Sequence, residues 1–237
     1  MNNPFKFKQF TVHQDQCAMK IGTDGVLLGA WASLCNEPNS ILDIGTGTGI
    51  IALQLAQRSY AELIDAIEIN NNAFEQAVQN FENSPWGDRL YCYHTSIEEF
   101  ANEIEDKYDL IVSNPPFYNN SFQSKDEARN EARFTGSLSF KILLASVSKL
   151  LSENGIFSVI IPFMDKVNFI SLAKKHNLFV NKICNVKGTP TSETKRSLIE
   201  FSSIKKDVII ESLIIETARH QYTSEYINLV KDFYLKM

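Results

Sequence analysis

The sequence lacks the spacings by which cysteine and histidine usually build a metal site. Its four cysteines, Cys17, Cys35, Cys92 and Cys184, contain no C-x-x-C pair, and its four histidines, His13, His94, His176 and His220, no H-x-x-x-H pair. No metal is expected, and a reducing, cytoplasmic compartment is. Apolar runs of membrane-spanning length are missing too, because Glu211 and Glu216 break the longest one. The first ten residues are polar and lysine-bearing, so no secretion signal is expected. Positive charge is in deficit, with a net charge of -5. Any contact with nucleic acid must therefore come from a local patch rather than a global field. Internal repeats and low-complexity tracts are absent. What is present is 237 residues, 44% of them hydrophobic, enough for one domain with a sizeable core.

Apolar periodicity and turn residues divide the chain into alternating elements. A turn and short helix are expected over 21–32, followed by a linker at Glu37-Pro38-Asn39-Ser40. Strands are expected at 41–44, 63–69, 90–95, 108–113, 156–161, 178–186 and 197–203. Helices are expected at 50–58, 71–83, 138–151, 165–176 and 223–235, with a further extended segment at 208–217. The alternation predicts an α/β fold, a mostly parallel seven-stranded sheet with helices on both faces. The last strands, joined by loops, predict an antiparallel edge strand. Residues 119–137 are polar and irregular, and a mobile substrate-facing loop is expected there.

The segment Asp43-Ile44-Gly45-Thr46-Gly47-Thr48-Gly49-Ile50 leaves the first long strand. Glycines let the backbone turn sharply and let a ligand lie against it. A dinucleotide fingerprint needs glycine at position 50, which is Ile. The shorter G-x-G-x-G suits a cofactor without a pyrophosphate, and S-adenosylmethionine fits best. Asp43 would repel a pyrophosphate but attracts the cofactor's ammonium, directly or through water. Glu68 ends the second long strand, where a carboxylate can accept two ribose hydroxyls.

Asn114-Pro115-Pro116-Phe117 follows the strand expected beside the first one. The lone pair of an adenine amine or an amide is delocalised and weakly nucleophilic. Acceptors on both of its N–H groups, the Asn114 side-chain oxygen and the Pro115 carbonyl, help localise it on nitrogen. Prolines hold the preceding residues extended and bring no competing N–H donor. Phe117 can stack on a planar substrate. The rest is displacement at a positioned methyl group.

These residues resemble the class I S-adenosylmethionine methyltransferases of the amino-methylating branch. More narrowly, the chain is similar to the bacterial family that N6-methylates the adenine just 3′ of the anticodon in valine tRNA. The narrower likeness rests on Phe7-Lys8-Gln9-Phe10, on Cys17-Ala18-Met19-Lys20-Ile21-Gly22-Thr23-Asp24-Gly25 and on Leu28-Gly29-Ala30-Trp31-Ala32. Asn83-Ser84-Pro85-Trp86, Ser113 to Phe117, Glu131-Ala132-Arg133-Phe134-Thr135 and the ends Tyr222 to Tyr226 and Phe233-Tyr234-Leu235 extend it over nearly the whole chain. The resemblance implies that residues 1–40 cover the cofactor pocket of a methyltransferase domain at 41–237. Lys20, Thr23, Gly25, Ile69, Ser96 and Ile97 then join Asp43, Gly45, Gly47, Glu68 and Asn114 around the cofactor. Ser96 stands where the family often has an acid for the cofactor adenine.

The resemblance implies a tRNA partner, which an acidic chain must grip locally. Lys6 and Lys8, the group Lys125, Arg129 and Arg133, and the stretch holding Lys195 and Arg196 are the candidate phosphate contacts. The target base would be unstacked towards Phe117. A monomer or weak dimer is expected. Methylation of a protein glutamine amide or of DNA adenine uses the same turn. The amide enzyme usually carries a helical recognition domain ahead of the core, for which about 40 residues leave no room. A non-catalytic S-adenosylmethionine- or RNA-binding module would not need Asn114, and a small-molecule methyltransferase would not need the basic stretches.

Overall fold

The computed structural model describes residues 3–17, 19–116 and 139–237. Two short strands, β1 (Phe5–Lys6) and β2 (Thr11–Val12), pair in an antiparallel hairpin ahead of α1 (Thr23–Trp31). Then come β3 (Ser40–Ile44), α2 (Ile50–Arg58), β4 (Leu63–Glu68), α3 (Asn71–Glu82), β5 (Leu90–His94), α4 (Ile97–Glu103) and β6 (Tyr108–Ser113). After the undescribed stretch follow α5 (Phe140–Leu150), β7 (Leu151–Pro162), a 3-10 turn at Phe163–Asp165, α6 (Lys166–Lys175), β8 (Phe179–Lys187), β9 (Thr194–Ser202) and β10 (Ile209–Ile214). A small pair, β11 (Glu216–Ala218) and β12 (Gln221–Tyr222), precedes α7 (Ser224–Val230).

The main sheet has the order β10-β8-β9-β7-β6-β3-β4-β5. Its strands alternate their side chains between two cores. Ile41, Ile64, Leu110 and Val112 face α1, α2, α3 and α7, while Leu42, Ile44, Ile67 and Ile111 face α4, α5 and α6. The doubly wound α/β expectation holds, but two details differ. The sheet has eight strands rather than seven, because β10 pairs in parallel outside β8. The reversed strand is not an edge. β9 runs antiparallel to both β7 and β8 and lies between them. The crossover through α6 sets β8 one strand's width away from β7, and the hairpin after β8 returns the chain through that gap.

Helix ends follow local chemistry. Asn70 caps α3 by accepting from the Ala73 amide, and Ser139 caps α5 from Ile142. The expected terminal helix stops early, at Val230. Residues 97–103, unassigned in the sequence, form α4, started by a reciprocal capping box between Ser96 and Glu99.

The amino-terminal hairpin is held in two places. Phe5, Phe7 and Phe10 pack in an aromatic group with Tyr234, and Phe10 meets Trp86 edge-on. Fully buried Asn80 on α3 ties His13 and the turn before α2 together. Its Oδ1 accepts from His13 N at 2.8 Å, and its Nδ2 donates to the carbonyls of His13 and Thr48, both at 2.9 Å. Asn80→Ala strands the buried Thr48 carbonyl and cuts both bonds to the partly exposed His13 backbone. Urea unfolding should show a loss of about 2 kcal/mol, since each unsatisfied buried group costs roughly 1–3 kcal/mol.

Candidate active site

Parallel strands β3, β4, β6 and β7 end on one rim, and the order reverses between β3 and β6. That switch point is where open α/β sheets hold their ligands. Its floor is the turn from β3 to α2. Gly45, Gly47 and Gly49 take φ of 72°, 56° and 81°, the left-handed region that favours glycine. A Cβ built on Gly45 or Gly47 meets nothing within 4 Å, so both face open space. The turn's amides are satisfied from the next strand. Gly45 N and Thr46 N donate to Ile67 O, and Gly47 N donates to Glu68 Oε2 at 2.9 Å.

Asp43 lies beneath this turn, fully buried. Its Oδ2 accepts from the Thr46 hydroxyl at 2.6 Å and from Ala52 N at 3.3 Å, while Oδ1 has no partner among the described residues. Burial pushes its carboxyl up to about 7, partly offset by the bonds from Thr46 and Ala52, with Glu68 adding a smaller upward push.

Glu68 is half-buried at the end of β4. Its second oxygen, Oε1, accepts from Asn70 N at 2.9 Å. Both oxygens are fixed by backbone amides and keep lone pairs directed at solvent. Ile69 beside it is 63% exposed, an apolar surface at the mouth. His94 approaches Ile69 O at 3.0 Å and stacks on Phe74, which holds this corner.

Asn114 follows β6, whose Ser113 hydroxyl donates to Ile44 O at 3.0 Å. That bond ties the end of β6 to the end of β3. The Asn114 Oδ1 is buried and unpartnered among the described residues. A buried acceptor without a donor is costly alone and useful once a substrate N–H arrives. Pro115 is buried and Pro116 exposed. Phe117, Lys125, Arg129, Arg133 and the loop expected at 119–137 lie outside the described residues.

The residues fit S-adenosylmethionine. Two open glycines, a braced carboxylate at ribose reach, an exposed apolar side chain and two orphaned acceptors surround one rim. The remaining candidates sort differently. Lys20 and Thr23 are exposed just before or at the start of α1. Gly25 is inside α1, where an added Cβ would press on Ile50 at 3.2 Å, so its smallness serves helix packing. The Ser96 hydroxyl is engaged in the capping box, accepting from Glu99 N at 3.2 Å and donating to Glu99 Oε2 at 2.9 Å. Ile97 is buried at the first turn of α4. Lys6 and Lys8 belong to the amino-terminal hairpin. Lys8 bonds the carbonyls of Lys231 and Met237 and lines an open groove of about 500 Å³ with Gln57, Arg58 and Asp232. That groove is at the far end of α2, so the hairpin's aromatic packing has turned Lys8 away from the rim. Arg196 is at the rim, opposite Pro162, but its Nε donates to Asp24 Oδ2 at 2.8 Å. Asp24 ties α1 to β9, and the N-cap residue of that helix is Gly22.

The sequence reading missed Asn80, Gln76 and Cys17. Gln76 accepts from Gln16 N at 3.0 Å, and Cys17 is close enough to Glu68 to feel its charge, though burial is the larger cause of a thiol pushed up to about 11. Paired polar residues on the inner face of α3 were the available signal. Among the described residues, no group of three or more His, Cys, Asp or Glu could hold a metal, and no helix is long and apolar enough to cross a membrane.

Residues 24–135 match the family described as Methyltransferase small domain. A protein of Christiangramia forsetii named tRNA1(Val) (adenine(37)-N6)-methyltransferase is 59% identical over 238 residues, spanning 100% of this chain and 99% of that one. Its namesake in Flavobacterium johnsoniae is 58% identical, over 98% of this chain and 100% of that one. The chain belongs to the tRNA1(Val) (adenine(37)-N6)-methyltransferase family. In fold, this member of the family is similar to an Agrobacterium tumefaciens structure described as a predicted O-methyltransferase. The TM-score is 0.68 at 17% identity, with 89% of this chain and 96% of that chain covered. The chain is a methyltransferase with the class I α/β fold.

The buried carboxyl makes a prediction for the ligand-free protein. An Asp43 pKa raised from 3.8 to about 7 means that the native state holds the proton more tightly than the unfolded one. Its contribution to stability is complete below about pH 4 and is lost as pH rises through about 7. Urea titrations of the wild type and of Asp43→Asn should diverge across that window, with the wild type losing stability relative to the variant as pH rises.

Proposed function

We propose that this enzyme transfers a methyl group from S-adenosylmethionine to the N6 amine of adenine 37, next to the anticodon of valine tRNA, in the cytoplasm. The single observation carrying the chemistry is the buried, unpartnered Asn114 Oδ1 on the same rim as the open glycine turn. The near-complete, 59% identical relative of that name supports the choice of substrate.

The donor supplies an electrophilic methyl on sulfur. Gly45 and Gly47 leave room for its amino-acid end against the turn, and Glu68 accepts its ribose hydroxyls. Ile69 packs on its adenine, and Ile97 lies close by. Asp43 holds the turn in shape from beneath, and its Oδ1 reaches the ammonium through water. Lys20, Thr23 and the rest of residues 20–27 close over the donor, with α1 fastened to β9 by Asp24 and Arg196. Residues 1–40 act as this cover and 41–237 as the methyltransferase domain of a monomer or weak dimer.

The target adenine leaves its stack and enters beside Phe117. Asn114 Oδ1 and the Pro115 carbonyl accept the two amine hydrogens, so the nitrogen lone pair turns towards the methyl. Attack forms the N–C bond as the S–C bond breaks, and the nitrogen then loses a proton to solvent. No general base is needed before transfer, so proximity and alignment carry most of the rate. Lys195 contacts a phosphate near the rim, Lys125, Arg129 and Arg133 add further phosphate contacts, and Lys6 and Lys8 contribute only if the RNA reaches round to the amino-terminal hairpin.

Purified enzyme should methylate unmodified valine tRNA and not DNA or a release factor, as read by mass spectrometry of the nucleosides and peptides. Equal transfer to the protein substrate would overturn the assignment. Asn114→Ala should lower turnover by at least about a hundredfold, losing an aligned acceptor worth roughly 2.7–4 kcal/mol in comparable sites. Calorimetry should find S-adenosylmethionine affinity nearly unchanged in that variant. Glu68→Ala should do the reverse, weakening the donor about tenfold or more by removing bonds to a charged acceptor.

A further inference from the structure

Beyond the pocket, the described residues leave one apolar group exposed on its rim. Phe163, Met164 and Val167 follow the carboxyl end of β7 and are 38%, 82% and 76% exposed. Single exposed apolar residues are ordinary, but three in five positions beside a site mark a contact surface. Strand register gives the location. Ser113 pairs with Val159, so Asn114 leaves β6 level with Ile160, and Phe163 is three residues farther along. Strand spacing and rise put its Cα about 11 Å from that of Asn114. That separation suits a neighbour of the reacting base rather than the base itself.

The group carries a cation. Lys166 Nζ sits 4.2 Å from the Phe163 ring centroid and donates to Asn185 Oδ1 at 3.1 Å. Asn185 Oδ1 also accepts from the Ser197 hydroxyl at 3.1 Å, which braces it between β8 and β9. The ammonium is thus held in place over the ring instead of sweeping through solvent. Lys187 ends β8 and Lys195 is the second residue of β9 on the same rim, among the acids Asp165, Glu193 and Glu216. Arg196 contributes its charge here too, though it is paired with Asp24.

We propose that Phe163 and Met164, with Lys166, form a platform on which an unstacked nucleotide flanking the target adenine rests, its phosphate beside Lys166. The proposal rests on the RNA reading above and deepens it. Flat apolar surface with an adjoining cation matches a nucleobase and its phosphodiester, and single-stranded loops offer unstacked bases. Continuity with the Asn114 rim and the fixed Lys166 ammonium beside the ring favour this occupant over a lipid surface.

The test uses full-length enzyme and a valine tRNA transcript. Phe163→Ala/Met164→Ala should raise KM for tRNA about tenfold, as the loss of one stacked base predicts. Its kcat, S-adenosylmethionine affinity and melting temperature should remain those of the wild type. Phe163→Trp should keep KM, and its added emission, over the background of Trp31 and Trp86, should be quenched on RNA binding. Lys166→Gln should flatten the salt dependence of binding by about one phosphate, roughly 0.7 in slope. An unchanged KM in the double variant, or an unquenched Phe163→Trp, overturns the platform. So does loss of binding to anionic phosphatidylglycerol vesicles with tRNA KM unchanged. Quenching of Phe163→Trp by tRNA, together with a wild type that does not methylate that tRNA, would support the platform and overturn the proposed function instead.

Discussion

A left-handed glycine turn survives only if its amides find partners and its shape is held from outside. Here the Ile67 carbonyl takes two of the amides, and two carboxylates on neighbouring strands hold the shape. Asp43 grips the turn and the first turn of α2 from below. Glu68 grips it from the side through Gly47 N. The second grip works both ways, because the same amide that steadies the loop also aims the carboxylate. A charged acceptor fixed by two backbone donors does not swing, so whatever it binds meets a preorganised group. The cost is the desolvation of Asp43, visible in a carboxyl raised to about 7.

The other half of the site is joined to the first by a bond of 3.0 Å, from the Ser113 hydroxyl to Ile44 O. It links the strand that ends at Asn114 to the strand that begins the glycine turn. A methyl transfer depends on sub-ångström alignment of two ligands, each held by a different loop. Parallel strands hydrogen-bonded up to their last residues set that alignment with little freedom. Pro115 and Pro116 extend the rigidity beyond the sheet.

Much of this could be read in the residues. The βα units, Glu68 at a strand end and Asn114 before two prolines were legible because each is local in sequence. Ser96 carries a second local signal. Its hydroxyl was weighed against a ligand, whereas Glu99, three residues on, completes a capping box and begins a helix that had gone unassigned. The neighbours of β9 could not be read locally, since they depend on which gap the chain leaves after α6. Lys8 looked like a phosphate contact by charge alone, and only the aromatic packing of its hairpin shows where it points. Asn80 was illegible for the opposite reason, being a polar residue whose partners lie 67 and 32 residues away.

The reversed strand also bears on the order of assembly. β9 cannot take its place until β7 and β8 are both laid down, and its Arg196 then meets Asp24 across a separation of 172 residues. Pairings so distant in sequence close late, because their loop entropy is repaid only after nearer contacts have formed. The tie between α1 and β9 thus closes across nearly the whole chain. A chain stopped short of β9 can form its glycine turn but lacks the ion pair that anchors α1 to the sheet.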